Sequence, residues 1–193
     1  MADYCTTAQI KDAGRLNITG SAYDTALGLI VTAASRWIDR ATWQIDDAFA
    51  ASATASRYYV SGDSAGKRLW LDAPIISVST LTNGDAVAIG SGDYRLAPRN
   101  ASYYWFIDLK STSTGWAFAT DGEIEVAGVW GFSTTVPDPI REATAMLAGW
   151  MFKRYQSALQ DNAASPEFGS IIYGESIPKQ VMALILPYTR GPV

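Results

Sequence analysis

The chain has 193 residues, 48% of them hydrophobic and 18% charged, with no histidine and one cysteine. That length suits one domain with a real core, and the composition excludes a disordered chain. A net charge of −4 and a pI near 4.8, without any Lys/Arg run, make the chain a poor candidate for gripping a phosphate backbone, because that affinity comes from neutralising phosphates.

In "TTAQIKDAGRLNI" the threonines can cap a short helix and Gly14 can end it. "GSAYDTALGLIVTAASRWIDRATW" follows, with Ser21 as a cap and Asp24 three residues on in the manner of a capping box. Leu27, Ile30, Val31, Ala34, Trp37, Ile38 and Ala41 then fall at offsets of three, four and seven, one apolar stripe on a long helix. Ser35, Arg36, Asp39 and Arg40 lie largely off that stripe and are expected to face water or a partner.

After the joint "DDAFAASATAS" the period changes to two. "RYYVSG", "KRLWLD", "PIISVSTLT", "AVAIGSG", "DYRLAPR", "YYWFIDLK", "GWAFAT" and "EIEVAGVWGF" are short, aromatic and β-branched, and turn pairs such as Asn83-Gly84, Ser91-Gly92 and Asp121-Gly122 punctuate them. Residues 57–132 therefore read as a set of antiparallel hairpins. In "VPDPIREATAMLAGWMFKRY" Asp138 can cap, Pro139 suits the first helical position, and Pro137 blocks an earlier start. Ile140, Ala143, Thr144, Leu147, Trp150, Met151 and Tyr155 make a second stripe, and two such helices most simply pack on each other. "QSALQDNAASPEFGSIIYGES" reads as a long polar loop, "IPKQVMALIL" as a last short helix stopped by Pro187, and "PYTRGPV" as a tail.

The expected fold is α+β, a helical core of two long helices plus short N- and C-terminal helices with an inserted antiparallel β-hairpin region. It is read as a single domain over 1–193, with the helical core at about 1–56 and 136–187, the hairpins at about 57–132 and the tail at 187–193.

The residue inventory narrows the chemistry. Cys5 alone leaves no intramolecular disulfide and no thiolate metal site. Without histidine the usual zinc sets and the Ser/His and Cys/His pairs are excluded. "LGLIV" and "MALIL" fall far short of a membrane span, and the N-terminus lacks a signal-peptide pattern. A soluble protein of a reducing compartment is the expectation.

Asp46, Asp47, Asp121, Glu123 and Glu125 sit in turn or solvent-face context, so a hydrolase using paired carboxylates has little to stand on. "DGEIEV" lacks the closing acid of a calcium loop, and the glycines lack the context of a dinucleotide site. No enzyme, cofactor or metal is expected. Trp70, Tyr103, Tyr104, Trp105, Trp116 and Trp130 can be strand core and cross-strand pairs, a subunit contact, or a platform for a ligand. The tail, with Tyr188 and Arg190, is either frayed or captured by a partner.

"AASRWIDRATWQ", "YYVSG…GKRLWLDAPIISVSTLT", "DYRLAPRN", "EIEVAGVWGF…VPDPIREATAMLAGWMFKRY" and the ending "GESIPKQVMALILPYTRGPV" together resemble, in this order, the head–tail connector (adaptor) proteins of tailed bacteriophages. The resemblance implies a non-enzymatic part of the virion neck, made in the host bacterial cytoplasm. It implies a closed ring of about twelve copies under the portal protein, with heterologous neighbour contacts. Such a ring extends the channel through which DNA passes without specific binding, and offers a surface to head-closure (stopper) or tail proteins. No membrane is involved.

Carried onto this sequence, the resemblance implies portal binding by Pro178 to Val193, with Pro178, Leu186, Pro187, Tyr188 and Arg190 as contacts. The helical core maps onto Ser21–Thr42 and Asp138–Tyr155, with Arg36, Asp39 and Arg40 as contacts between neighbours; Trp105, in the dense "YYWFI" run, is a further one. The stretch from Asn83 to Thr120 is longer and more aromatic than the hairpins of small adaptors, which leaves its contacts open. The alternative from another class is a small β-rich carbohydrate- or peptide-binding module with helical flanks.

Overall fold

The computed structural model describes residues 2–12, 15–43, 45–50, 54–119, 122–160 and 176–189. The chain divides into two compact units, one of Met1–Asp46 with Val136–Val193 and the other of Asp47–Thr135.

The first unit is helical. Helix α1 (Thr7–Lys11) starts from the predicted threonine cap: the Thr6 side chain accepts from the Gln9 N–H and the Gln9 side chain accepts from the Thr6 N–H, a complete capping box. Helix α2 spans Asp24–Thr42. The Ser21 cap is not formed; Tyr23 holds the cap position without a side-chain bond, and the Ser21 carbonyl instead accepts from the Asp24 N–H in a preceding turn. Helix α3 spans Asp138–Gln160, beginning where the proline pair permits. Helix α4 (Lys179–Ile185) runs into a 3₁₀ turn, Leu186–Tyr188, so Pro187 tightens the helix end.

Helix α3 packs against α1, α2 and α4, and the two long helices meet as their stripes predict. The buried face of α2 is Leu27, Val31, Ala34, Ser35, Ile38, Asp39 and Thr42. This face is rotated slightly from the expected stripe: Ile30, Trp37 and Ala41 are only half-buried, while Ser35 and Asp39, expected outside, are fully buried. Hydrogen bonds permit that rotation. Ser35 donates to the Val31 carbonyl and accepts from the Tyr4 N–H, and Thr42 donates to the Ile38 carbonyl, so no hydroxyl is stranded. On α3 the buried set is Ile140, Ala143, Thr144, Ala145, Leu147, Ala148 and Phe152, whereas Tyr155 is exposed. Each large apolar side chain so buried contributes about 1.5–3 kcal/mol relative to exposure.

The second unit is one antiparallel sheet and not a set of separate hairpins. Its strands are β1 (Ala55–Tyr59), β2 (Ser64–Ala65), β3 (Arg68–Thr82), β4 (Tyr94–Ala97), β5 (Tyr104–Leu109) and β6 (Ile124–Trp130). The order is β1-β6-β3-β5-β4, with β2 pairing onto β3. The last strand therefore returns between the first and third, a non-local pairing that turn signals do not reveal. "KRLWLD" and "PIISVSTLT", expected as two strands, form the single strand β3. Its register shifts between Trp70 and Ile75, around Pro74, which has no N–H to give a ladder. "AVAIGSG" and "GWAFAT" contribute only isolated bridges, Thr82 with Ala88 and Gly84 with Phe118.

Central strand β6 alternates strictly, with Ile124, Val126, Gly128 and Trp130 buried. At Gly128 the neighbouring strand comes so close that an added Cβ would lie 2.1 Å from the Ser77 carbonyl oxygen. Phe49, Tyr103 and Phe132 form an aromatic cluster, with ring centroids 5.5 Å apart for Phe49–Phe132 and 4.0 Å for Tyr103–Phe132.

Candidate functional site

Several of the charged and polar side chains are engaged in holding the fold. Tyr4 donates its hydroxyl to the buried Asp39 carboxylate, which also holds the Arg36 guanidinium at 3.0 Å. Arg36 in turn donates to the Ala2 carbonyl at 2.6 Å and lies over the Tyr4 ring. Arg36 and Asp39, expected to reach a neighbouring subunit, thus tie the N-terminal segment to α2 inside the chain. Asp39 has no exposed surface with which to meet another subunit.

In the sheet, Asp72 accepts from Tyr59 and Arg57, and Arg57 stacks on Trp130. Burial, together with the Asp72 carboxylate, pushes the Tyr59 hydroxyl well above the usual phenol range. Burial likewise raises the Cys5 thiol from 9.0 to about 12, which suppresses the nucleophilic thiolate. Glu125 accepts from the Ser56 hydroxyl, Glu123 is exposed, and Asp121 lies outside the described residues. Among the described residues no group of three or more His, Cys, Asp or Glu could hold a metal ion, and no helix is long and apolar enough to cross a membrane.

The aromatic residues are mostly each other's partners. Trp130 is buried and donates to the Ala55 carbonyl. Trp105 is half-buried, edge-on to Tyr103 and Phe106. Trp70 meets Phe106 in an edge contact at 4.5 Å and is 37% exposed. Tyr103 and Trp116 lie outside the strands. Tyr58 is the most exposed aromatic among the described residues of the sheet unit, at 59%.

Exposed apolar side chains lie on the sheet unit, at Tyr58, Val60 and Val87, and on the helices. Helix α4 is apolar on both faces: Val181 and Ile185 are buried, while Met182 and Leu186, one turn apart, are 48% and 67% exposed. Ala183 and Pro187 are exposed beside them, and Tyr188 is half-buried. Pro178 holds the N-cap position of α4. It also lines a groove of about 490 Å³ with Leu16, Met146, Gly149 and Trp150. Arg190 lies outside the described residues. On α2 the outward face carries Arg40, which is exposed, and Leu29, which is 71% exposed.

Of the residues expected to bind a partner through the C-terminal segment, the structure brings Leu186, Pro187 and Tyr188 together on one turn. Met182 and Leu29, both exposed, are not among the residues expected from the sequence. Met182 could have been found from "VMALIL", where a helix cannot bury five large apolar residues on one side. Leu29 could have been found because it falls outside the α2 stripe.

No family model matches the chain. No curated protein matches it either. Solved structures do. Over 97% of this chain and 90% of the other, with 21% identity and a TM-score of 0.62, it is similar in fold to a chain in the neck of an empty GTA particle computed with C6 symmetry. With the same coverage and identity and a TM-score of 0.59, it is similar to a chain in the virion of a native gene transfer agent (GTA) particle. A third likeness, at 19% identity and a TM-score of 0.54, is to a chain in the neck of a native GTA particle computed with C12 symmetry, covering 97% of this chain and 92% of that one. At these identities the likeness is one of fold, and it extends over both units of the chain.

Proposed function

We propose that this chain is a structural head–tail adaptor of a phage-like particle, its two units acting as one adaptor domain without catalytic activity or cofactor. It forms a closed ring of about twelve copies beneath the portal protein in the virion neck. The ring extends the DNA channel and offers a docking surface to head-closure or tail proteins. The observation that carries this reading is the chain-long likeness of fold to chains from the necks of gene transfer agent particles.

The portal contact is assigned to the outer side of α4 and its 3₁₀ turn, Met182, Leu186, Pro187 and Tyr188, joined by Pro178 and Arg190. Met182 on α4 and Leu186 on the following 3₁₀ turn are kept in water while Val181 and Ile185 anchor the other side of the helix. An apolar anchor in a partner's pocket is the kind of contact that dominates interface energy. Neighbour-to-neighbour contacts are assigned separately to Leu29 and Arg40 on α2 and to Trp105 of the sheet unit; Arg36 and Asp39 support α2 from inside.

Native mass measurement of the chain, alone and mixed with the portal protein of the same genome, tests the reading. A ring multiple added to an intact portal is the expected result. Met182→Asp with Leu186→Asp should abolish that addition while the circular dichroism and melting temperature stay those of the parent chain. Undiminished portal association by this variant removes α4 from the interface. No association of the parent chain at any salt concentration removes the adaptor reading itself.

A further inference from the structure

The chain is acidic, yet the sheet collects cations that are far apart in sequence. Strand β4 is an edge strand, and its register sets Arg95 opposite Asp108 of β5, which is opposite Arg68 of β3. Asp108 is fully engaged by Arg68 in a two-pronged ion pair at 2.7 and 2.8 Å. Arg95 and Arg99 are exposed and have no acid partner among the described residues. Both line a groove of about 490 Å³ with Lys110, Ser111 and Thr112, and with Asp108, whose charge the Arg68 pair offsets.

The floor of this groove is ordered before any ligand arrives. All three protons of the Lys67 ammonium are donated to carbonyls of the next loop, Lys110 at 3.0 Å, Ser111 at 3.1 Å and Ser113 at 2.9 Å. The Lys110 ammonium donates to the Gly92 carbonyl and its N–H to the Asp93 carbonyl at 2.8 Å. Lys67, Arg68, Arg95, Arg99 and Lys110 are thus gathered at one edge against Asp93 and Asp108, so the edge is positive while the rest of the chain is more negative than its net charge suggests.

We propose that this edge is a contact site for the phosphodiester backbone of duplex DNA, with Arg95, Arg99 and Lys110 as its phosphate-facing cations and the Ser111 and Thr112 hydroxyls beside them. Clustered cations with hydroxyl donors beside them suit phosphate oxygens, and contacts to phosphate alone carry no sequence information. The negative charge of the remaining surface keeps the contact weak, as a component past which DNA must move requires. This inference draws on the proposed neck role only for where DNA would be met; the assay uses the isolated chain, so a failed portal association leaves it standing.

The test is fluorescence anisotropy of a labelled duplex of random sequence, titrated with the full chain over a range of salt. Three phosphate-facing cations give a log–log salt slope of about −2.7, so affinity should fall about 40-fold between 50 and 200 mM salt. Arg95→Glu with Arg99→Glu should weaken binding at least tenfold. Arg95→Lys with Arg99→Lys should retain most of it, since a diffuse phosphate contact needs charge more than fork geometry. Arg154→Glu with Lys179→Glu, an equal change in net charge on the helical unit, should leave binding within about threefold. Three results would each overturn the proposal: no binding at the lowest salt, equal losses in both charge-reversal variants, or polyglutamate competing as well as DNA per unit charge. The last would assign the edge to an acidic protein segment.

Discussion

Asp39 sits mid-helix with its carboxylate closed off from water, holding Tyr4 from one side and Arg36 from the other. A buried carboxylate is tolerable only because both its partners are in place, and removing one member of such a set strands the others. Asp39→Ala should therefore cost about 3–5 kcal/mol, read as a lowered urea midpoint. A loss below about 1 kcal/mol would mean that water reaches Arg36 freely.

Cys5, buried near Asp39's partner Tyr4 in sequence, should be inert to an aromatic disulfide reagent near neutral pH and react at once in denaturant. Its folded-state pKa is raised, so the native state keeps a proton that the unfolded chain gives up. The resulting stability is intact below 9.0 and is lost as pH rises from there through about 12. Tyr59 shifts in the same direction and adds to the same alkaline loss. Urea midpoints should fall with rising pH above about 9, and a flat profile would contradict the burial of both groups. Neither residue was legible as special in the sequence, because its environment is made by residues distant in the chain.

At the scale of elements, two glycines separate backbone need from helix cost. Gly128 of β6 lies between Ala55 of β1 and Val78 of β3, and any side chain there meets the Ser77 carbonyl. Gly128→Ala should force the central strands apart and cost more than about 2 kcal/mol, an overpacking penalty seen in thermal melts. Gly28 of α2 has open space where its Cβ would be. Gly28→Ala should stabilise the chain by up to about 1 kcal/mol, the usual helix penalty of glycine.

Helix α4 carries the same contrast across its two faces. Val181→Asp should unfold the C-terminal helix, whereas Met182→Asp should leave the melting temperature unmoved, because only the first side chain is buried. The sequence announced α1, α2 and α3 through caps, prolines and apolar spacing. It misplaced the exact stripe on α2, since Ser35 and Thr42 donate to carbonyls one turn back and Asp39 is held by Arg36 and the distant Tyr4, so all three can turn inward.

For the whole molecule, the sheet order explains most of what sequence reading missed. Strand β6 lies between β1 and β3, pairing residues such as Ala55 with Gly128 that are far apart along the chain. Turn dipeptides report only neighbours in sequence, so they suggested hairpins where a single sheet forms. The exposed apolar side of α4, the proposed docking face, is legible in outline, because "MALILPY" holds more apolar surface than one side of a short helix can bury. The outer face of α2 and the cationic sheet edge are not, since each depends on which residues the fold leaves unpartnered. Leu29→Asp on that outer face should leave the monomer folded and shift native mass away from ring multiples. Rings of unchanged mass would move the neighbour contact elsewhere.

The sequence by itself determined the α+β composition, the two long helices with the start of α3, most of the strands within residues 57–132, and the lack of histidine chemistry. These follow from local periodicity, capping and residue inventory, which act over a few positions. Only the tertiary structure decided that Asp39 is an internal ion-pair partner, that β6 closes the sheet between β1 and β3, and that Arg95, Arg99 and Lys110 share one groove. Those depend on long-range packing and on competition for hydrogen-bond partners, which no short window of residues contains.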